Sequence, residues 1–215
     1  MKSKLTMFIA TCSFALSGCL SGGVNYVKPN QAATPPVSSV IVSKPKDAVW
    51  KELIPAIGKT FWVINNLDKE SGFVNISYSG DPELYVDCGE IFSRVNGGSS
   101  GDRVYTFKAS TALYNYQAAA GQMLVLIERK MNLEGRINII VQEISPGQTQ
   151  LTINPKFILN RSIHHKNMYG IGKTESDSIS FNSGQTGRFP GGTECISNGQ
   201  LEATILGLLN DVKAK

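Results

Sequence analysis

Asp81, Glu83, Asp87 and Glu90 bring four carboxylates into ten residues. A carboxylate pair cuts a glycosidic bond when one partner stays protonated to donate while the other stays charged, and clustered carboxylates also hold calcium. The Asp-x-Asp-x-Asp-Gly run of a calcium loop is missing, so the spacing reads as a solvated loop. His164 and His165, the only histidines, could serve a Ser-His-Asp arrangement, which assembles in space and not in sequence. Adjacent and set in a polar stretch, they read as solvated loop residues. Asn96 to Gly101 is glycine-rich but runs into Asp102-Arg103 where a phosphate loop has Lys-Ser/Thr, and reads as a connection between strands. Tyr105, Tyr114 and Tyr116 offer an aromatic face for sugar or protein, or half-buried packing between strands. No catalytic constellation, metal-ligand set or cofactor motif emerges, and the chain is expected to be a non-enzyme without metal or cofactor.

The opening residues carry an address. Lys2 and Lys4 precede an apolar run from Leu5 to Leu16, the layout of a signal peptide and too short for a permanent membrane span. The run ends in Leu16-Ser17-Gly18-Cys19, which resembles the lipobox of bacterial lipoproteins. That resemblance implies cleavage after residue 18, a diacylglycerol thioether on Cys19 and acylation of the new amine. Several acyl chains at roughly 0.8 kcal/mol per methylene make release from the membrane negligible. Leu20, not Asp, follows the cysteine, which in Gram-negative lipoproteins implies the outer membrane. The competing reading is an ordinary secretory signal with Cys19 an unmodified thiol.

Removing residues 1–18 from the 215 leaves enough chain for one domain with a real core, or at most two small ones. Lys2 and Lys4 leave with the leader, so the 21 basic and 17 acidic side chains become 19 and 17. That near-balance argues against a nucleic-acid partner, which needs a basic stripe. Of four cysteines, Cys12 departs and Cys19 is acylated. Cys88 and Cys195 remain, and in an oxidising compartment they read as one disulfide, with two buried free thiols as the alternative.

Residues 19–36, the lipidated cysteine and a Gly, Asn, Ala, Thr and Pro segment, read as a flexible tether. A single domain over 37–215 follows. Val37 to Val42 reads as a strand. Val49, Trp50, Leu53, Ile54 and Ile57 form the apolar stripe of a helix over about 45–58, with Pro55 expected to kink or end it. Phe61 to Asn65 and Phe73 to Tyr78 flank a polar turn at 68–72, and Arg103 to Ala109 alternates as a strand. Met131 to Ile139 is the clearest strand, joined through Ser145-Pro146-Gly147-Gln148 to Thr149–Phe157 as a hairpin. Residues 160–193 read as a long polar loop suited to recognition, with Ile179 and Phe181 in an edge strand. Arg161, His164, His165, Tyr169 and Arg188 are its candidate partner-binding residues. Ser197 and Gln200 have capping-box spacing before a last helix with Leu201, Ile205, Leu208, Leu209 and Val212 as its stripe.

The segment Ser43 to Gly72, with Asp-Ala-Val-Trp at 47–50, Phe-Trp-Val-Ile at 61–64 and Asp-Lys-Glu-Ser-Gly at 68–72, resembles the helix-grip domain of lipoprotein C of the outer-membrane β-barrel assembly machine. The order strand, helix, several antiparallel strands, helix describes an α+β fold, a single antiparallel sheet covered on one face by two helices, and the resemblance implies the same. The expected function is that of a membrane-anchored envelope lipoprotein, held to lipid through acylated Cys19 and binding an envelope protein of an outer-membrane complex. Recognition of peptidoglycan through exposed tyrosines is the alternative, and glycan hydrolysis by the carboxylates at 81–90 a third reading.

Overall fold

The computed structural model describes residues 21–30, 36–97, 101–121 and 123–209. Cys19, the leader 1–18 and residues 210–215, with Val212 of the expected last helix among them, lie outside them. In chain order the elements are β1 (Ser21–Val27), β2 (Ser39–Val42), α1 (Lys46–Ile57), β3 (Val63–Asp68), β4 (Phe73–Gly80), β5 (Val86–Asp87), β6 (Glu90–Asn96) and β7 (Asp102–Lys108). They continue as β8 (Leu113–Ala120), β9 (Met123–Ser145), β10 (Gln148–Asn167), β11 (Gly172–Asn182), β12 (Thr186–Arg188), β13 (Glu194–Ser197) and α2 (Gln200–Leu206).

The frame is the antiparallel hairpin of β9 and β10, in register from Thr149 opposite Glu143 to Asn167 opposite Val125. Strict alternation sends Ile127, Met131, Leu133, Ile137, Ile139 and Val141 of β9 to one face, with Leu151, Ile153, Phe157 and Leu159 of β10, all buried. Near the β9–β10 turn, β4 and then β3 extend the sheet beyond β9, and β2 pairs with the start of β10. At the other end β8 pairs with β9 and β11 with β10.

Two different covers bury the inner face. Over the half near the β9–β10 turn lie the helices, α1 with Val49, Leu53 and Ile57 inward and α2 with Leu201, Ile205 and Leu206. Over the other half lies a second antiparallel sheet in the order β1-β6-β7. Its Phe107 stacks on Tyr114 at 4.0 Å between ring centroids and also meets Tyr116. A third small sheet, β12-β13-β5, joins the two regions.

The single helix-covered sheet implied by the helix-grip resemblance is therefore not the fold. The described chain is mostly β, in several sheets with only two α-helices, and those cover one half of the longest sheet. Two misread segments account for the difference. Ser21–Val27, expected in the flexible tether, is β1, paired along its length with β6. Its glycines permit close approach: a Cβ at Gly22 would stand 2.3 Å from the Arg94 carbonyl oxygen. Residues 160–193, expected as a loop, are the end of β10, then β11 and β12, and the connection that leads into β13. An edge strand with one solvated face keeps few apolar side chains, so its pattern imitates a loop.

Local expectations fare better. α1 spans the anticipated residues and carries Pro55 in its last turn, ending at Ile57. The strand expected from Phe61 starts at Val63, with Phe61 fully exposed and Trp62 buried. No capping box forms at α2: its first residue follows Gly199 at φ 77°, and Asn198 Oδ1 accepts the Gln200 amide at 3.0 Å.

Candidate functional site

Cys88 and Cys195 are disulfide-bonded, a closure spanning 107 residues. The pairing follows from the small sheet, in which Ile196 stands opposite Asp87 and Ser197 opposite Val86. Both cysteines are fully buried, so the bond is structural.

The other anticipated residues divide between the two faces of the long hairpin. Arg161 points inward, nearly buried, where Nη2 makes a 2.8 Å ion pair with Asp177 and donates to the Pro190 carbonyl at 3.0 Å. Its guanidinium lies 4.2 Å from the centroid of the Phe189 ring. These contacts hold the 189–193 connection on the sheet and engage Nη1 and Nη2, while the buried Nε has no partner among the described residues. Arg129 lies on the same inner face, fully buried, and neither Nη1 nor Nη2 has a hydrogen-bond partner among the described residues. Burial first, and then the Arg161 charge, push its guanidinium down to about 10. His165 falls in the inward-facing set opposite Ile127 and Lys173. Arg188 is exposed and ion-paired with Glu194, which also binds Lys28 at 2.8 Å. Tyr169 sits at the β10–β11 turn, apart from the others.

His164 faces outward, in a row that crosses four strands: Asn115, Glu128, His164 and Thr174 stand side by side. His164 Nδ1 lies 2.9 Å from Thr174 Oγ1. Glu128 pairs with Lys130 at 2.7 Å, and that hydrogen bond, with the Lys130 charge, holds its carboxyl below the usual range. Tyr105 of β7 forms one wall, Leu126 part of the floor and Lys166 part of the rim of a groove of about 490 Å³ over this row. Gln117, also in the lining, accepts a hydrogen bond from Arg103 Nη1. A second depression of about 650 Å³ continues along the same face, lined by Lys130, Asn132, Asn160, Ser162, Ser176 and Ser178 among others. Beyond it, towards the β9–β10 turn, Asn65, Asn75 and Asn138 form a side-chain ladder, with bonds of 2.9 and 2.6 Å. The outer face thus carries a run of polar side chains, interrupted by the exposed Leu113, Leu126 and Ile140.

Of the tyrosines, Tyr114 and Tyr116 pack with Phe107 in the core, and burial raises the Tyr116 hydroxyl. Two of the three line the groove, Tyr105 as a half-buried wall and the buried Tyr116 beneath it. The acidic group is spread over structural tasks. Asp81 accepts the Glu83 amide at 3.0 Å, Asp87 accepts the Gly89 amide at 2.7 Å, and Glu83 meets Lys108 at 3.4 Å. Glu83, Asp87 and Glu90 do line a common depression of about 400 Å³, but with Lys28 and Lys108 beside them. Gly97 to Gly101 has Gly-x-Ser-x-Gly spacing, which marks a nucleophile elbow only at a strand-to-helix turn. Here it joins β6 to β7, and 98–100 lie outside the described residues. Among the described residues no three His, Cys, Asp or Glu side chains gather as metal ligands, and no helix is long and apolar enough to cross a membrane.

Sequence reasoning missed the groove because Glu128 and His164 are 36 residues apart and meet only through strand register. Upstream of Met131 the inward position of β9 is held by Arg129, which interrupts the alternation that would reveal it. Comparison with family models, with curated proteins and with solved structures yields no match.

Proposed function

We propose that this chain is a non-enzymatic lipoprotein of the bacterial envelope, anchored in the outer membrane through acylated Cys19, whose β-domain binds an envelope glycan in the groove bounded by Tyr105, Glu128 and His164. The lining of that groove carries the proposal. Sugars present apolar C–H faces and dense hydroxyls, which are met by an aromatic wall and by fixed polar side chains. Tyr105 offers the wall, while Asn115, Glu128 and His164 offer donors and acceptors, the last two held by Lys130 and Thr174. The lining contains one carboxylate where glycoside hydrolysis uses two, which suits holding over cutting. Purified protein should co-sediment with peptidoglycan sacculi, and Tyr105→Ala or His164→Ala should lower the bound fraction about tenfold, at roughly 1.4 kcal/mol per decade. The Arg188→Ala variant should bind as the unsubstituted protein does. Equal binding by all four proteins would refute the groove as the site.

A second reading, an envelope protein as partner, is favoured by the edge of the long sheet at β3. That strand ends the sheet and carries Val63 exposed, with Phe61 fully exposed just before it. An exposed apolar edge is a surface on which a partner strand can pair. Crosslinking in intact cells through residue 61 separates this reading from the first. The assembly-machine partner has lost its support in the fold.

A further inference from the structure

We propose that the end of the domain carrying the β10–β11 turn docks on the phospholipid surface, so that the lipoprotein rests against its membrane and does not hang from a tether. The inference rests on the lipoprotein reading of Cys19 and adds an interface to it.

Met168, Tyr169 and Ile171 are 70 %, 77 % and 72 % exposed. They sit on an ordered turn: Asn167 Oδ1 accepts the Tyr169 and Ile171 amides, each at 3.0 Å, and the Asn167 amide bonds the Ile171 carbonyl at 2.9 Å. With the backbone satisfied internally, the three large side chains are presented outward. Met123, half exposed, stands at the neighbouring β8–β9 turn. Lys166 and Lys173, the latter paired with Glu175, lie just behind the apolar tip, the place where lysine stems reach past apolar side chains to phosphate headgroups.

The chain's entry point identifies the occupant. β1 begins at Ser21, two residues after the lipobox cysteine, a covalent reach of about 7 Å. Gly22 lies against Ala119, whose strand neighbours lead across Leu124 and Val125 to Asn167. At about 5 Å per strand, Ser21 is roughly 15 Å from the exposed turn and at the same end of the sheet. An acylated Cys19 therefore brings a bilayer to this end of the domain, where Met168, Tyr169 and Ile171 are exposed. The polar outer groove, which runs away from that end, stays open to the periplasm.

The test uses lipidated protein reconstituted into phosphatidylethanolamine–phosphatidylglycerol vesicles, with an environment-sensitive fluorophore on Ile171→Cys or, at the opposite end, on Gln148→Cys. The label at 171 should shift to the blue and be quenched by spin-labelled lipid chains, while the label at 148 should do neither. Equal behaviour at the two positions would overturn the proposal. So would a blue shift at 171 without lipid quenching, because it would mean a protein covers the turn. Intact mass of the same sample reads acylation separately. If Cys19 proves unmodified, docking is still read from vesicle flotation of the mature chain carrying Cys19→Ser. Adding Met168→Ser and Ile171→Ser should then reduce the bound fraction about tenfold, and no reduction would refute docking.

Discussion

Replacing Arg129 with methionine should stabilise the domain. Folding buries this guanidinium beside Arg161 and gives Nη1 and Nη2 no partner among the described residues. Its folded value of about 10 lies well below that of the free side chain. At 1.36 kcal/mol per tenfold, that gap is roughly 3 kcal/mol against folding wherever both states are protonated, which includes pH 7. The sign follows from the direction: a cation depressed on folding weakens the folded state below its folded value, and the penalty fades as pH rises through about 10. Methionine keeps the apolar stem and removes the charge, so a gain of roughly 1–3 kcal/mol is expected after repacking. For a chain of this size that is a rise in melting temperature of about 3–9 °C. The assay is thermal unfolding under non-reducing conditions at pH 7, repeated at pH 11, where the advantage should narrow by about 1.4 kcal/mol. Arg161→Met is the contrast. It strands Asp177 and loses Phe189, and should cost roughly 3 kcal/mol. An Arg129→Met variant less stable than the original by more than about 1 kcal/mol would refute the reasoning, because the guanidinium would then be making net favourable contacts.

Four further outcomes follow, three from the structure and one from the lipobox. Substituting Cys88 and Cys195 together by serine should lower stability by up to about 4.7 kcal/mol, the chain-entropy figure for a closed loop near 100 residues, read by denaturant unfolding without reductant. Gly72→Ala should cost roughly 2–4 kcal/mol by the same assay, since the residue has φ +75° and a Cβ there would stand 2.1 Å from the Val141 carbonyl oxygen. Gly147→Ala, at the same φ with nothing within 4 Å of the added carbon, should cost only about 1 kcal/mol. Cys19→Ser should remove the acyl mass and move most of the protein from the membrane to the soluble fraction of the envelope, leaving only the weaker, reversible binding through the β10–β11 turn, as read by fractionation and intact mass.

What the sequence made legible was what short-range pattern carries. α1 declares itself by a 3.6-residue stripe, and the middle of the long hairpin by alternation on both sides of a proline-glycine turn. The disulfide was legible by counting cysteines once two were assigned to the leader and the lipobox. The alternation broke at Arg129 and Arg161, where an inward position holds a charge, and each strand therefore seemed to end where it in fact continues. β1 hid behind its glycines and β11 behind its serines and charged residues, because close approach and edge position, not burial of large side chains, set their composition. The groove was illegible for a different reason. Tyr105, Glu128 and His164 come from three strands, and only register and the fold of β7 across β8 put them together.

The unbroken passage of β9 and β10 through both covered halves has a consequence for how the domain opens. No linker separates the helix-covered region from the region covered by β1, β6 and β7, since both are built on the same two strands. Fraying either half unzips ladder bonds that border the other, and the disulfide ties the segment between β5 and β6 to β13. Sub-global openings should therefore be confined to the ends of the hairpin. Amides near Leu133 and Leu159, which face each other midway along it, should exchange with solvent only when the whole domain unfolds. Limited proteolysis should accordingly nick turns without releasing a stable half.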